Sequence, residues 1–119
     1  MEVEYIAERS TGYPWRFFYN WASDTFAGEL EEFTHNPRGY LESMCWNPDE
    51  WLPKINVKDV KYTTDDVVKL AGILKKYFNR AIEEDPDEWN ATMEALYSDE
   101  AEDFIANTMA SCIIPSVKA

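Results

Sequence analysis

Residues 63–84, TTDDVVKLAGILKKYFNRAIEE, decide the fold class. Within them Val67, Leu70, Ala71, Leu74, Tyr77, Phe78, Ala81 and Ile82 recur at alternating three- and four-residue spacing, the repeat of one helical face. Thr63 with Asp66 has the form of a capping box, which sets the start of the helix at residue 64. At about 1.5 Å per residue, residues 64–84 make a rod about 30 Å long, enough to cross a small domain as its central support.

Outward from this rod, two more helices are predicted downstream. Asp85-Pro86-Asp87-Glu88 combines a cap residue, a proline at the first helical position and an acid in the first turn. The helix it opens is expected to run to about Tyr97 with Trp89, Met93, Leu96 and Tyr97 as its apolar stripe. Ser98 then caps a helix to about Cys112, with Ala101, Phe104, Ile105, Thr108, Met109 and Cys112 facing inward. The connections are so short that these three helices must turn sharply on one another.

Upstream, Pro14 precedes Trp15, Phe18, Ala22, Phe26, Leu30 and Phe33, so residues 14–34 form one helix or two broken near Ser23-Asp24. Asn36-Pro37 and Asn47-Pro48 are two further cap-plus-proline starts, the first for a helix to about Trp46 and the second for a single turn ending before Pro53. Two segments read as extended. Val3 and Tyr5 alternate with acids, and Ile55, Val57, Val60 and Tyr62 alternate imperfectly with lysines, leaving room for a bulge near Asp59. The expectation is a single, mainly α domain over residues 1–119, a compact bundle of about five helices. An α+β variant is the alternative, with at most a small two-stranded antiparallel element pairing residues near 2–6 with 55–62.

The chain has 119 residues, 45% hydrophobic, with Trp 5, Tyr 7 and Phe 6. That supply of aromatics excludes an acidic disordered tail. The amino-terminal residues carry no basic region followed by an apolar run, and no apolar stretch approaches the roughly 20 residues that span a bilayer, so a cytoplasmic protein without a membrane span is expected. Cys45 and Cys112 lie in apolar patterns and are expected to be reduced and buried. In a cytoplasmic protein the sequon Asn90-Ala-Thr92 has no role.

No catalytic motif stands out, and no enzyme is predicted. His35 is the only histidine, and no serine or cysteine near it has a nucleophile's context; it reads as a surface loop residue. Glu32-x-x-His35 matches half of a di-iron carboxylate motif, but such a site needs a second histidine. Calcium-loop and phosphate-loop signatures are absent, and two cysteines with one histidine do not complete a structural zinc site. Neither cofactor nor metal is predicted.

Charge carries the functional signal. Lys+Arg 11 against Asp+Glu 23 gives a net charge of −12, which argues against direct binding to nucleic acid or an anionic bilayer. Residues 1–16, 17–53, 54–80 and 81–119 carry −1, −6, +4 and −9, and no basic residue lies between Ala81 and Val117. Asp65, Asp66, Asp87, Glu88, Asp99 and Glu100 fall in first helical turns, where the macrodipole favours acids, so the fold alone accounts for them. Glu83 and Glu84 end a helix, where the dipole disfavours them. Asp99, Glu102 and Asp103 crowd one face at i, i+3 and i+4, at a cost of a few tenths of a kcal/mol per pair. Glu83, Glu84, Asp87, Glu88, Glu94, Asp99, Glu102 and Asp103 are therefore the candidate partner-binding residues, an acidic surface spaced like a line of phosphates.

In size, acidity and lack of catalytic residues the chain resembles small acidic phage inhibitors and nuclease immunity proteins, which block basic nucleic-acid-binding surfaces. The resemblance implies a protein-binding inhibitor whose partner is a basic nucleic-acid-handling protein such as a nuclease, restriction enzyme or CRISPR effector. The alternative is a non-enzymatic adaptor or assembly protein that binds through the aromatic-rich front half, where Tyr13, Trp15, Phe17, Phe18, Tyr19 and Trp21 cluster. Against that alternative, a helix in the middle of a bundle buries two faces and keeps Arg16 and Asn20 as its wet stripe.

Overall fold

The computed structural model describes residues 13–84 and 88–113, and all secondary structure among them is helical. Six α-helices follow in order: α1 Tyr13–His35, α2 Pro37–Ser43, α3 Pro48–Trp51, α4 Thr64–Glu84, α5 Glu88–Leu96 and α6 Asp99–Ile113. Two short 3-10 helices, Leu52–Lys54 and Val57–Asp59, lie in the connection between α3 and α4. The central rod α4 packs against α1, α5 and α6, and α1 also meets α2 and α6.

The start of α4 is the capping box read from sequence. Asp66 N–H donates to Thr63 Oγ1 at 3.2 Å, and Thr63 N–H donates back to Asp66 Oδ2 at 3.0 Å. Two otherwise orphaned amides are thereby satisfied. Ser98 caps α6 in the same manner, its Oγ accepting from Ala101 N–H at 3.2 Å. Asn36 Oδ1 accepts from Gly39 N–H at 3.2 Å at the start of α2. A Cβ on Gly39 would press on the Asn36 side-chain amide, so a larger residue there would make that side chain shift.

The main core joins Phe18, Ala22 and Phe26 of α1 to Val67, Leu70, Ala71, Leu74 and Phe78 of α4, closed by Ala91 and Ala95 of α5 and Ala101 and Met109 of α6. A satellite core collects Phe33, Tyr40, Leu41 and Ile113, with Trp46, Trp51, Leu52, Ile55, Val57 and Val60 packed around it. Such a smaller cluster beneath a long connection is common in single domains.

Of the two readings of residues 14–34, one helix or two, the structure has the first: α1 runs unbroken through Ser23-Asp24, where Tyr62 donates to the Ser23 carbonyl at 3.1 Å and its ring meets Phe26 at 5.1 Å between centroids. The polar pair thus receives an incoming loop instead of breaking the helix. Helix α2 ends at Ser43 and not at Trp46, because Cys45 adopts φ 64°. Cys45 N–H then bonds the Glu42 carbonyl at 3.0 Å and Trp46 N–H the Leu41 carbonyl at 2.9 Å, a Schellman closure. That same turn leaves Cys45 exposed, contrary to the expected burial, while Cys112 is half-buried.

Residues 55–62 form no strand. Ile55 and Val60 are extended, but Asn56 caps the 3-10 turn between them; Ile55, Val57 and Val60 pack on the satellite core, while Tyr62 packs on the main core. The proposed partner segment around Val3 and Tyr5, and the helix start at Asp85-Pro86-Asp87, lie outside the described residues. In α5 the buried face is Ala91, Thr92 and Ala95; of the predicted stripe Trp89, Met93, Leu96 and Tyr97, Leu96 packs half-buried against the core, Met93 is half-buried, Tyr97 is exposed, and the Trp89 side chain lies outside the described residues. Small side chains let α5 approach α4 closely, a geometry that a hydrophobicity pattern dominated by large residues does not show.

Candidate functional site

The predicted acidic residues occupy three helices. Glu83 and Glu84 are exposed in the last turn of α4, Glu94 is exposed on α5, and Asp99, Glu102 and Asp103 are exposed on α6. Among the described residues no cation bonds any of these six carboxylates. Their positions follow from amphipathic periodicity: the opposite sides of α5 and α6 are committed to the core through Ala95, Ala101 and Met109, which leaves these positions to solvent. Asp87 lies outside the described residues, and Glu88 opens α5.

Two of the six meet in one groove of about 570 Å³ between α4, α5 and the start of α6, lined by Tyr77, Met93, Glu94, Tyr97, Ser98 and Asp99. Glu83, Glu84, Glu102 and Asp103 do not line it; Glu102 and Asp103 sit a turn farther along α6. Periodicity places both tyrosines in apolar stripes, so the groove is not legible from the sequence. The signal available was an aromatic residue beside an acid on consecutive helices.

One wall of the groove is polarised internally. Tyr77 donates its hydroxyl proton to Glu100 Oε1 at 3.0 Å, a hydrogen bond that raises the phenol's pKa above its ordinary value. The guanidinium carbon of Arg80 lies 4.9 Å from the Tyr77 ring centroid. Elsewhere the basic stretch 54–80 is similarly engaged: Lys54 Nζ stands 4.7 Å from the Trp51 ring and Lys75 Nζ 5.7 Å from Trp15.

A second groove follows the outer side of α1, lined by Asp24, Ala27, Gly28, Leu30, Glu31, Thr34 and Tyr62. It adjoins, through Gly28 and Glu31, a smaller hollow beside Glu32, His35 and Asn36. His35 is exposed in the last turn of α1, not in a loop, and a histidine there suits the helix dipole. Among the described residues no group of three or more histidine, cysteine, aspartate or glutamate side chains is arranged to hold a metal ion. No helix of the described residues is long and apolar enough to cross a membrane.

The aromatic run of the front half is largely absorbed by the core. Phe18 is buried and makes edge contacts with Phe17 at 5.2 Å and Phe78 at 5.3 Å. Trp15, Phe17, Tyr19 and Trp21 are half-buried against the same core, and Arg16 and Asn20 are exposed. No protein-family model, curated protein or solved structure matches the chain.

Proposed function

We propose that this protein is an acidic protein-binding inhibitor that covers the basic nucleic-acid-binding surface of a partner such as a nuclease, restriction enzyme or CRISPR effector. The observation carrying this reading is the exposure of Glu83, Glu84, Glu94, Asp99, Glu102 and Asp103 without a bonded cation among the described residues, on a stretch lacking any base from Ala81 to Val117. Mixed charges would keep a domain soluble with less self-repulsion, so a one-sign surface suits attraction to the opposite sign. Inhibition would be competitive occlusion, with electrostatic steering giving fast association.

The reading is tested by competition between the protein and DNA for basic enzymes of these three classes, across a salt series and with the combined variant Glu83→Gln, Glu84→Gln, Glu102→Gln and Asp103→Asn. Occlusion by charge predicts inhibition that fades steeply as salt rises, and an association rate slower by on the order of tenfold in the variant. The helical spectrum should be unchanged and stability slightly higher as repulsion is relieved. Equal rates and equal inhibition for parent and variant would sink the charge reading.

A further inference from the structure

Tyr77 and Tyr97 line the same groove in different states. The Tyr77 ring already carries a guanidinium, that of Arg80 at 4.9 Å, and its hydroxyl is held by the Glu100 carboxylate at 3.0 Å. Ring, carboxylate and guanidinium are thus assembled once within the molecule. Tyr97 repeats two of the three parts. It is 65% exposed, beside the exposed carboxylates of Glu94 and Asp99, and among the described residues no cation or ring covers it.

We infer that this groove seats an arginine side chain of a protein partner, its guanidinium against the Tyr97 ring and its N–H groups donating to Glu94 and Asp99. The inference rests on the acidic-surface reading and names its central contact. Charge selects the occupant: Arg80 and Lys76 stand against the Tyr77 ring at 4.9 and 6.0 Å, with the Glu100 carboxylate on its hydroxyl, whereas the carboxylates of Glu94 and Asp99 on the Tyr97 side have no bonded cation among the described residues, so that side draws in a cation and repels a phosphate or carboxylate. Shape and hydration then favour arginine over lysine, since a planar, weakly hydrated guanidinium stacks on an aromatic face while its fork of donors reaches carboxylates, whereas an ammonium stays hydrated. The Met93 side chain supplies apolar surface for the arginine stem.

The test titrates the full chain at low salt with an oligoarginine and an oligolysine peptide of equal length, following backbone amide shifts. Variants Tyr97→Ala and Tyr97→Phe are compared; the ring is exposed, so both should keep the parent helical spectrum. The expected result is that oligoarginine binds tighter, perturbs amides of residues 93–99, and is weakened about two- to fivefold by Tyr97→Ala. Tyr97→Phe should retain most of the affinity, and oligolysine binding should not respond to either change. If Tyr97→Ala leaves oligoarginine binding unchanged while Glu102→Gln with Asp103→Asn weakens both peptides, the groove assignment is overturned and the acidic surface stands. Failure of both peptides to bind at low salt overturns both.

Discussion

The Tyr40 hydroxyl donates a 2.6 Å hydrogen bond to Glu29 Oε1, tying α2 to α1 at the edge of the satellite core. Burial of the phenol, the bond to Glu29 and the nearby charges of Glu29 and Glu32 together push its pKa well above the ordinary value of 10.0. Tyr40→Phe strands the Glu29 carboxylate in a half-buried site, and a loss of about 1–2 kcal/mol in denaturant unfolding is expected. The pH dependence has a definite sign. Above pH 10.0 the unfolded phenol ionises while the folded one stays protonated, so the unfolded state binds fewer protons and stability falls as pH rises. Tyr40→Phe should flatten that alkaline decline.

Leu74 is fully buried at the middle of α4, in the core that this helix shares with α1, α5 and α6. Leu74→Ala should cost about 2–5 kcal/mol in chemical denaturation. Val68, on the same helix but 41% exposed, is the control, and Val68→Ala should change stability by less than about 0.5 kcal/mol. Equal effects at the two positions would mean that the face of α4 is misassigned.

The α4–α5 contact is built on side chains too small to rank high on any hydrophobic scale. Ala95 is fully buried there, so Ala95→Leu should overpack the contact and destabilise by about 1–3 kcal/mol, although it adds apolar surface. A neutral or stabilising result in thermal unfolding would show that α5 does not approach α4 closely.

Direct binding to DNA or RNA is expected to be absent at physiological salt. Net charge −12 repels a polyanion, and Lys54, Lys75 and Arg80 of the basic stretch already lie over Trp51, Trp15 and Tyr77. An electrophoretic shift at micromolar protein would contradict this and the occlusion mechanism with it.

Helix α4 could be read from residues 63–84 alone, with its bounds at Thr64 and Glu84, because its capping chemistry and its three-four spacing are local properties. The cap-plus-proline starts at Pro37 and Pro48 were legible for the same reason. So was the exposure of the acids: a carboxylate loses too much hydration to be buried without a partner, whatever the fold. The inward face of α5 was decided otherwise. Ala91, Thr92 and Ala95 are buried because α4 lies against them, and nothing within nine residues of sequence states how near a neighbouring helix will come. Residues 55–62 likewise carry enough alternation for a strand, yet a strand needs a partner for its backbone, and here the satellite core takes the side chains around a 3-10 turn instead. Glu94 and Tyr97 are neighbours at i, i+3 by local spacing alone, but their meeting Asp99 and the Tyr77 ring in one groove belongs to the tertiary structure, since it depends on how α6 leaves α5 and on α4 lying alongside.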